Sequence, residues 1–369
     1  MAKENLLLTP GPTCVPPDVL QVMAQPIFHH RTPQYRKLFE KVSTDLKAVF
    51  RTAQPVYTFT GSGTLAMEAA VVNFCSPGDE VIVLEAGKFG ERWRSIAERY
   101  QIKALSLSAP YGSVVPLENL ERALKEHPKA KAVYGTLCET STGTLFDVEA
   151  IARLIRKTEA IFVVDAISGL VADRLEMDLW GIDVVVCGSQ KGLMLPPGLS
   201  FLAVSQKAWK LVPSAKCPRF YTSLQQADAA LKQSDTAFTP ALTLVLGLKL
   251  VLDKLLKEGL EHVWQRTEGL ARKTRSSIQK RGLTLFSQHP SNAVTAVNVP
   301  PGIDGKKLVS IMRDEKGVTI AGGQGEMTGK IFRIAHFGFV SEADIEKGIE
   351  MLTETLEELK TNSVSRAGS

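Results

Sequence analysis

Val184-Val185-Val186-Cys187-Gly188-Ser189-Gln190-Lys191-Gly192 is the stretch on which the reading of this chain turns. A β-branched run gives way at once to small and polar residues, and a lysine follows just past its end. A strand that is apolar at every position is buried on both faces, as in a parallel sheet covered by two layers of helices. Upstream, Ala160-Ile161-Phe162-Val163-Val164-Asp165-Ala166 repeats the design with a carboxylate at its tip. Ligands of open α/β sheets bind beyond the carboxyl ends of the strands. Asp165 and Lys191 are therefore placed to meet one.

Each residue also has a plainer reading. Asp165 alone suits a helix cap or a turn, and Lys191 alone suits a solvated loop. Their joint position after apolar runs argues otherwise, as does the constrained loop from Gly192 to Pro196-Pro197-Gly198. Desolvating an ammonium group is costly, so a buried lysine needs a chemical reason. Schiff-base formation is such a reason, because burial lowers the pKa of the amine and makes it nucleophilic. One amine and one acid, each at the tip of a buried strand, suit pyridoxal 5'-phosphate. The lysine would hold the aldehyde, and the aspartate would keep the ring nitrogen protonated so that the ring acts as an electron sink.

Around this centre, strand-like and helix-like segments alternate. Residues 33–50 keep helical spacing through Tyr35, Leu38, Phe39, Val42, Leu46 and Val49. Helices are predicted over 63–74, 89–100 and 148–157, and strands over 80–84, 132–137 and 199–204. This alternation predicts an α/β fold with a mostly parallel sheet covered on both faces. Beyond it, 243–281 is helix-periodic with a break at Gly259. A strand (293–299), a helix (305–314), two strands (318–321 and 331–335) and a closing helix (342–359) follow. The expected organisation is an extended arm over residues 1–17, a large domain over 18–257, a smaller α+β domain over 258–361 and a tail over 362–369.

Composition excludes several classes. The 369 residues are 44% hydrophobic and 22% charged, with a formal net charge of +5 and no long basic block. That argues against a nucleic-acid partner. No apolar run reaches the roughly 18 residues of a membrane-spanning helix, so no membrane partner is expected. Cys14, Cys75, Cys138, Cys187 and Cys217 are widely spaced, odd in number and free of CxxC pairs. They fit a reducing, cytoplasmic setting without a metal centre.

Other segments carry possible ligand contacts. Phe59-Thr60-Gly61-Ser62-Gly63-Thr64 precedes a helical run, and the free N–H groups at a helix start, with the hydroxyls of Ser62 and Thr64, suit a phosphate. The same residues would also serve as an ordinary Ser/Thr cap. A P-loop is excluded by spacing, and a dinucleotide fingerprint fails because Ala66 stands at its third glycine. Cys138-Glu139-Thr140-Ser141-Thr142-Gly143 ends another strand and offers hydroxyls, or is simply a hydroxyl-rich turn. Phe89 suits stacking on a flat ligand or a place in the core. Arg333 in Phe332-Arg333-Ile334-Ala335 suits an ion pair or a carboxylate ligand.

Together these residues resemble class V, fold-type I pyridoxal-phosphate aminotransferases, in the branch of the alanine–glyoxylate and serine–glyoxylate (serine–pyruvate) enzymes. The resemblance runs from Leu8-Thr9-Pro10-Gly11-Pro12-Thr13 to the closing helix. Its most specific part is Gly188-Ser189-Gln190-Lys191 with Pro196-Pro197-Gly198 and, upstream, Asp165. It implies that Lys191 forms the Schiff base and shuttles the proton, while Asp165 pairs with the ring nitrogen. Ser62, Gly63, Thr64 and Gln190 would hold the phosphate, and Thr140 would lie beside the ring. Thr236 and Thr239 would reach the phosphate of a neighbouring subunit, making the working unit a homodimer with interfacial active sites. Arg333 would clamp the substrate carboxylate, with Gly11 lining the entrance. Phe89 stands where this branch often has tryptophan, and Thr236 stands for a tyrosine.

The implied reaction is ping-pong transamination between alanine or serine and a 2-oxo acid, glyoxylate or pyruvate. A phosphonate aminotransferase or a cysteine desulfurase is the alternative within the cofactor class. A desulfurase usually has histidine before its lysine, where Gln190 stands here, and a catalytic cysteine that the smaller domain lacks. A non-catalytic relative would be expected to have lost Lys191, Asp165 or Arg333.

Overall fold

A computed structural model describes residues 5–367. Residues 1–4 of the expected arm and 368–369 of the expected tail lie outside the described residues. The central sheet has seven strands: β1 (Val56–Gly61), β2 (Glu80–Glu85), β3 (Lys103–Ser108), β4 (Ala132–Thr136), β5 (Ile161–Asp165), β6 (Val184–Gly188) and β7 (Gly198–Val204). Their order is β1-β7-β6-β5-β4-β2-β3. Only β7 runs against its neighbours, pairing antiparallel with both β1 and β6.

Strand pleating explains the unbroken apolar runs. Phe162, Val164, Val185 and Cys187 pack into the core on one face of the sheet. Ile161, Val163, Val184 and Val186 pack into the core on the other. Successive side chains alternate faces, so a strand covered on both sides must be apolar throughout. The register pairs Thr136 with Asp165 and Asp165 with Val186. The carboxyl ends of β4, β5 and β6 thus finish side by side, and the polar residues that follow them share one edge.

The C-terminal part builds on two long helices, Leu242–Glu258 and Leu260–Lys280, which break at Gly259 in a left-handed conformation (φ 86°). A three-stranded antiparallel sheet follows, with Ile331–Ala335 between Val294–Asn298 and Ala321–Gly322. It has its own core, including Leu8, Leu308, Met312, Phe332 and Leu352. The single strand expected over 318–321 is two strands. Val318–Thr319 pairs parallel with Leu6–Leu7 of the arm, whereas Ala321–Gly322 pairs with Ile331–Ala335. The chain changes partner at Ile320, which no periodicity reveals. The closing helix runs Glu342–Ala367 rather than stopping at Leu359, since no proline or glycine interrupts it before Gly368.

The arm ties the two parts together. The Leu8 N–H donates to Thr319 and its carbonyl accepts from the Ala335 N–H, while the Thr13 N–H donates to Gln190. Pro10-Gly11-Pro12 is thereby stretched from the small sheet to the end of β6.

Candidate active site

Lys191 sits in a tightly pinned loop. The Ser189 hydroxyl donates to Pro196 O at 2.7 Å and accepts from Leu199 N–H at 3.1 Å. The Lys191 carbonyl accepts from the Thr13 hydroxyl at 3.0 Å and from the Met194 N–H at 2.9 Å. Its side chain is only 9% exposed, which rules out the solvated-loop reading. Among the described residues no carboxylate pairs with it; Nζ donates to the Pro10 carbonyl. Burial lowers its pKa to about 8. Gly11, at φ 117°, leaves no room for a Cβ against the lysine stem, so only glycine fits there.

Asp165 shares the cavity with Lys191. Its Oδ1 accepts from the Ile167 N–H at 2.8 Å, and burial raises its pKa to about 7. The cavity is also lined by Ser62, Gly63, Thr64, Phe89, Thr140 and Gln190. Eight of the residues expected from sequence therefore converge on one cavity.

The phosphate-like end is a helix start. Helix α1 (Gly63–Val72) follows Ser62, whose side chain makes no capping bond, and its first turn carries no acidic residue. The plain cap reading thus fails. The first N–H groups of a helix lack internal acceptors and attract anions. A Cβ at Gly63 would stand 2.6 Å from Ile167, so glycine lets the helix approach the end of β5. The Gln190 Oε1 is buried without a hydrogen-bond partner. An uncommitted hydroxyl, an amide awaiting a partner, and an acid and an amine in one cavity fit pyridoxal phosphate.

Sequence reasoning missed Arg92, Ile167 and Ser168, which line the same cavity. In helix α2 (Lys88–Arg99), Arg92 lies three residues after Phe89 and so on the same face. Its Nη1 donates to the Thr64 hydroxyl at 3.2 Å, and its guanidinium lies 4.7 Å from the Phe89 ring centroid. Helical spacing from Phe89 was the available signal. Ser168 accepts from the Thr140 hydroxyl at 2.6 Å, and position just beyond β5 was its signal.

Arg333 is 4% exposed and, among the described residues, has no carboxylate partner, so the ion-pair reading is not met. Nε and Nη2 donate to Gly322 O at 3.1 and 2.7 Å, and Nη1 donates to Thr140 O at 2.9 Å. Three of its five N–H donors are thereby used, which leaves two for a ligand. Burial lowers its pKa to about 10. Thr236 and Thr239 do not join this group within one chain. They line a separate cleft with Tyr57, Phe59 and Tyr221, and the Thr236 hydroxyl donates to Phe238 O at 2.7 Å.

Comparison with known proteins identifies the family. The family model described as Aminotransferase class-V matches residues 6–337. The chain is 37% identical to a protein named soluble hydrogenase, small subunit, from Synechococcus sp. (strain PCC 6716), over 100% of this chain and 97% of that one. It is 35% identical to serine–glyoxylate aminotransferase of Hyphomicrobium methylovorum, over 92% of this chain and 86% of that one. The crystal structure of a subgroup IV aspartate aminotransferase from Thermus thermophilus superposes with a TM-score of 0.90 at 34% identity, covering 96% of this chain and all of that one. The chain belongs to the class-V aminotransferases.

Proposed function

We propose that this class-V aminotransferase exchanges an amino group between a small amino acid, alanine or serine, and glyoxylate or pyruvate, with pyridoxal 5'-phosphate as cofactor. The observation that carries this reading is the buried Lys191 amine, which has no carboxylate partner among the described residues and shares a cavity with a buried acid and a helix start free of anionic residues. The serine–glyoxylate relative supports the choice of donor and acceptor.

The cofactor, when bound, supplies an aldehyde and a protonated ring that accepts the electron pair left on the substrate α-carbon. The remaining work falls to the chain. Ser62, Gly63 and Thr64 at the start of α1, with Gln190 and Arg92, bind the phosphate. Asp165 holds the proton on the ring nitrogen, and Phe89 offers a π face. Thr140 steadies the ring edge. Arg333 directs its two remaining N–H groups at the substrate α-carboxylate in a fork that lysine cannot reproduce. Lys191 would hold the aldehyde and, as a free amine, would act as the base that moves the proton at the substrate α-carbon. Thr236 and Thr239 complete the phosphate site of a second subunit in a homodimer. Gly11 and the arm close the entrance.

Two measurements check this reading. Adding alanine, serine or aspartate singly to the yellow holoenzyme tests the donor half-reaction. Alanine or serine is expected to discharge the cofactor absorbance fastest; a preference for aspartate would overturn the substrate assignment and leave the cofactor chemistry standing. The second uses pH. Lys191 must be neutral to attack the aldehyde, and with its pKa lowered to about 8 the neutral fraction rises with pH. The rate at which cofactor-free protein captures pyridoxal phosphate should therefore rise about tenfold between pH 7 and pH 9. A flat profile would remove Lys191 as the attacking amine.

A further inference from the structure

Glu139 is a carboxylate deep in the molecule, 1% exposed, with no cation within salt-bridge distance among the described residues. Its Oε2 accepts from the N–H groups of Phe89 and Gly90, both at 3.0 Å. Its Oε1 accepts from the Ser141 N–H at 3.1 Å and the Ser141 hydroxyl at 2.5 Å. The Ser141 Oγ in turn accepts from the Lys88 N–H at 3.1 Å. The first three N–H groups of α2 are thus satisfied by a turn some fifty residues later in the chain. The helix's own N-cap, Gly87, makes no side-chain bond. A Cβ at Gly87 would collide with Glu139 and Ser141, so the glycine makes room for this remote cap.

An N-cap can be supplied more cheaply by a Ser or Asp at the helix start. A buried carboxylate carries a desolvation cost that only several strong donors offset. What this arrangement achieves beyond capping is register between two walls of the cavity. Phe89 hangs from the α2 side of Glu139, and Thr140 follows it directly on the other side. The Thr140 hydroxyl bonds Ser168, and its carbonyl takes the Arg333 Nη1. Phe89, Thr140 and Ser168 all line the cavity, while Glu139 itself does not.

We propose that Glu139 is a positioning residue of this site: its carboxylate locks the first turn of α2 to the 138–142 turn, and so fixes the Phe89 ring against the Thr140 edge of the bound cofactor. The inference rests on the cofactor reading above. Glu139 touches neither cofactor nor substrate and acts through Phe89. Replacement by glutamine keeps the length of the side chain but puts an N–H₂ where two donors from Ser141 now converge.

The test is a double-mutant cycle on cofactor affinity, measured by titrating cofactor-free full-length protein with pyridoxal phosphate. The circular dichroism of the bound cofactor serves as a second readout of ring orientation. Glu139→Gln is expected to weaken binding about tenfold and to reduce the dichroism of the bound cofactor, whereas in a Phe89→Ala background the same change should cost less than about twofold. Equal losses in both backgrounds, or unchanged affinity and dichroism, would reduce Glu139 to a structural cap and overturn the proposal. Should Glu139→Gln fail to fold, Ser141→Ala keeps the carboxylate and removes one donor. A loss of about threefold that vanishes with Phe89→Ala supports the proposal, and any other result overturns it. Failure of the unaltered protein to bind the cofactor would instead sink the reading on which the inference rests.

Discussion

Lys191→Ala is expected to lower turnover by about 10⁴-fold or more, since it removes both the covalent attachment and the general base, the latter alone worth roughly 10²–10⁴. The folded state should not suffer. The ammonium is buried with no anionic partner among the described residues, and its loss relieves a desolvation cost rather than breaking an ion pair. The thermal midpoint of the cofactor-free variant should therefore equal or exceed that of the unaltered protein. Borohydride treatment of the holoenzyme followed by peptide mapping should fix the cofactor on the peptide containing Lys191, and on no peptide in the variant. A variant retaining its rate, or a label on another lysine, would remove Lys191 from the chemistry. Lowered stability would show that the Pro10 contact matters more to folding than the unpaired charge.

Asp165→Asn is expected to cost about 10²–10³ in the rate of α-proton removal, the usual range for deleting one preorganised group that faces developing charge in a desolvated site. The amide oxygen can still accept from the Ile167 N–H, so the end of β5 should keep its shape. The amide cannot hold a proton on the ring nitrogen. The sign follows from burial: in the cofactor-free protein the carboxyl is pushed up to about 7, so it is an acid that a cationic ring would drive to ionise. Isotope substitution at the substrate α-carbon should therefore show a larger rate effect in the variant, because proton removal becomes slower than the other steps. An unchanged rate would mean that another group holds the ring proton.

Much of the site was legible before any coordinates, for a physical reason. A strand buried on both faces admits only apolar residues, so the first polar residues after Val164 and Val186 mark where the sheet ends and a ligand can begin. Ser62-Gly63-Thr64 was legible in the same way, as small residues at the start of a helix. Helix periodicity located Pro33–Phe50 and Gly305–Asp314 to the residue. The edge strand Lys103–Ser108, half exposed and weakly patterned, was not found, nor was the short helix Pro17–Met23 that follows the arm.

Local sequence by itself determined the α/β class, the aspartate and the lysine each at the end of a buried strand, and the helix start after Ser62, since burial pattern and chain stiffness act over a few residues. Only the tertiary structure decided that Pro10 meets the Lys191 amine, that Arg333 reaches Thr140, and that Glu139 caps a helix fifty residues earlier. It also decided that Thr236 and Thr239 lie apart from the cavity of their own chain. Those contacts join segments far apart in the chain, and their partners are chosen by packing of whole elements, which no stretch of a few residues encodes.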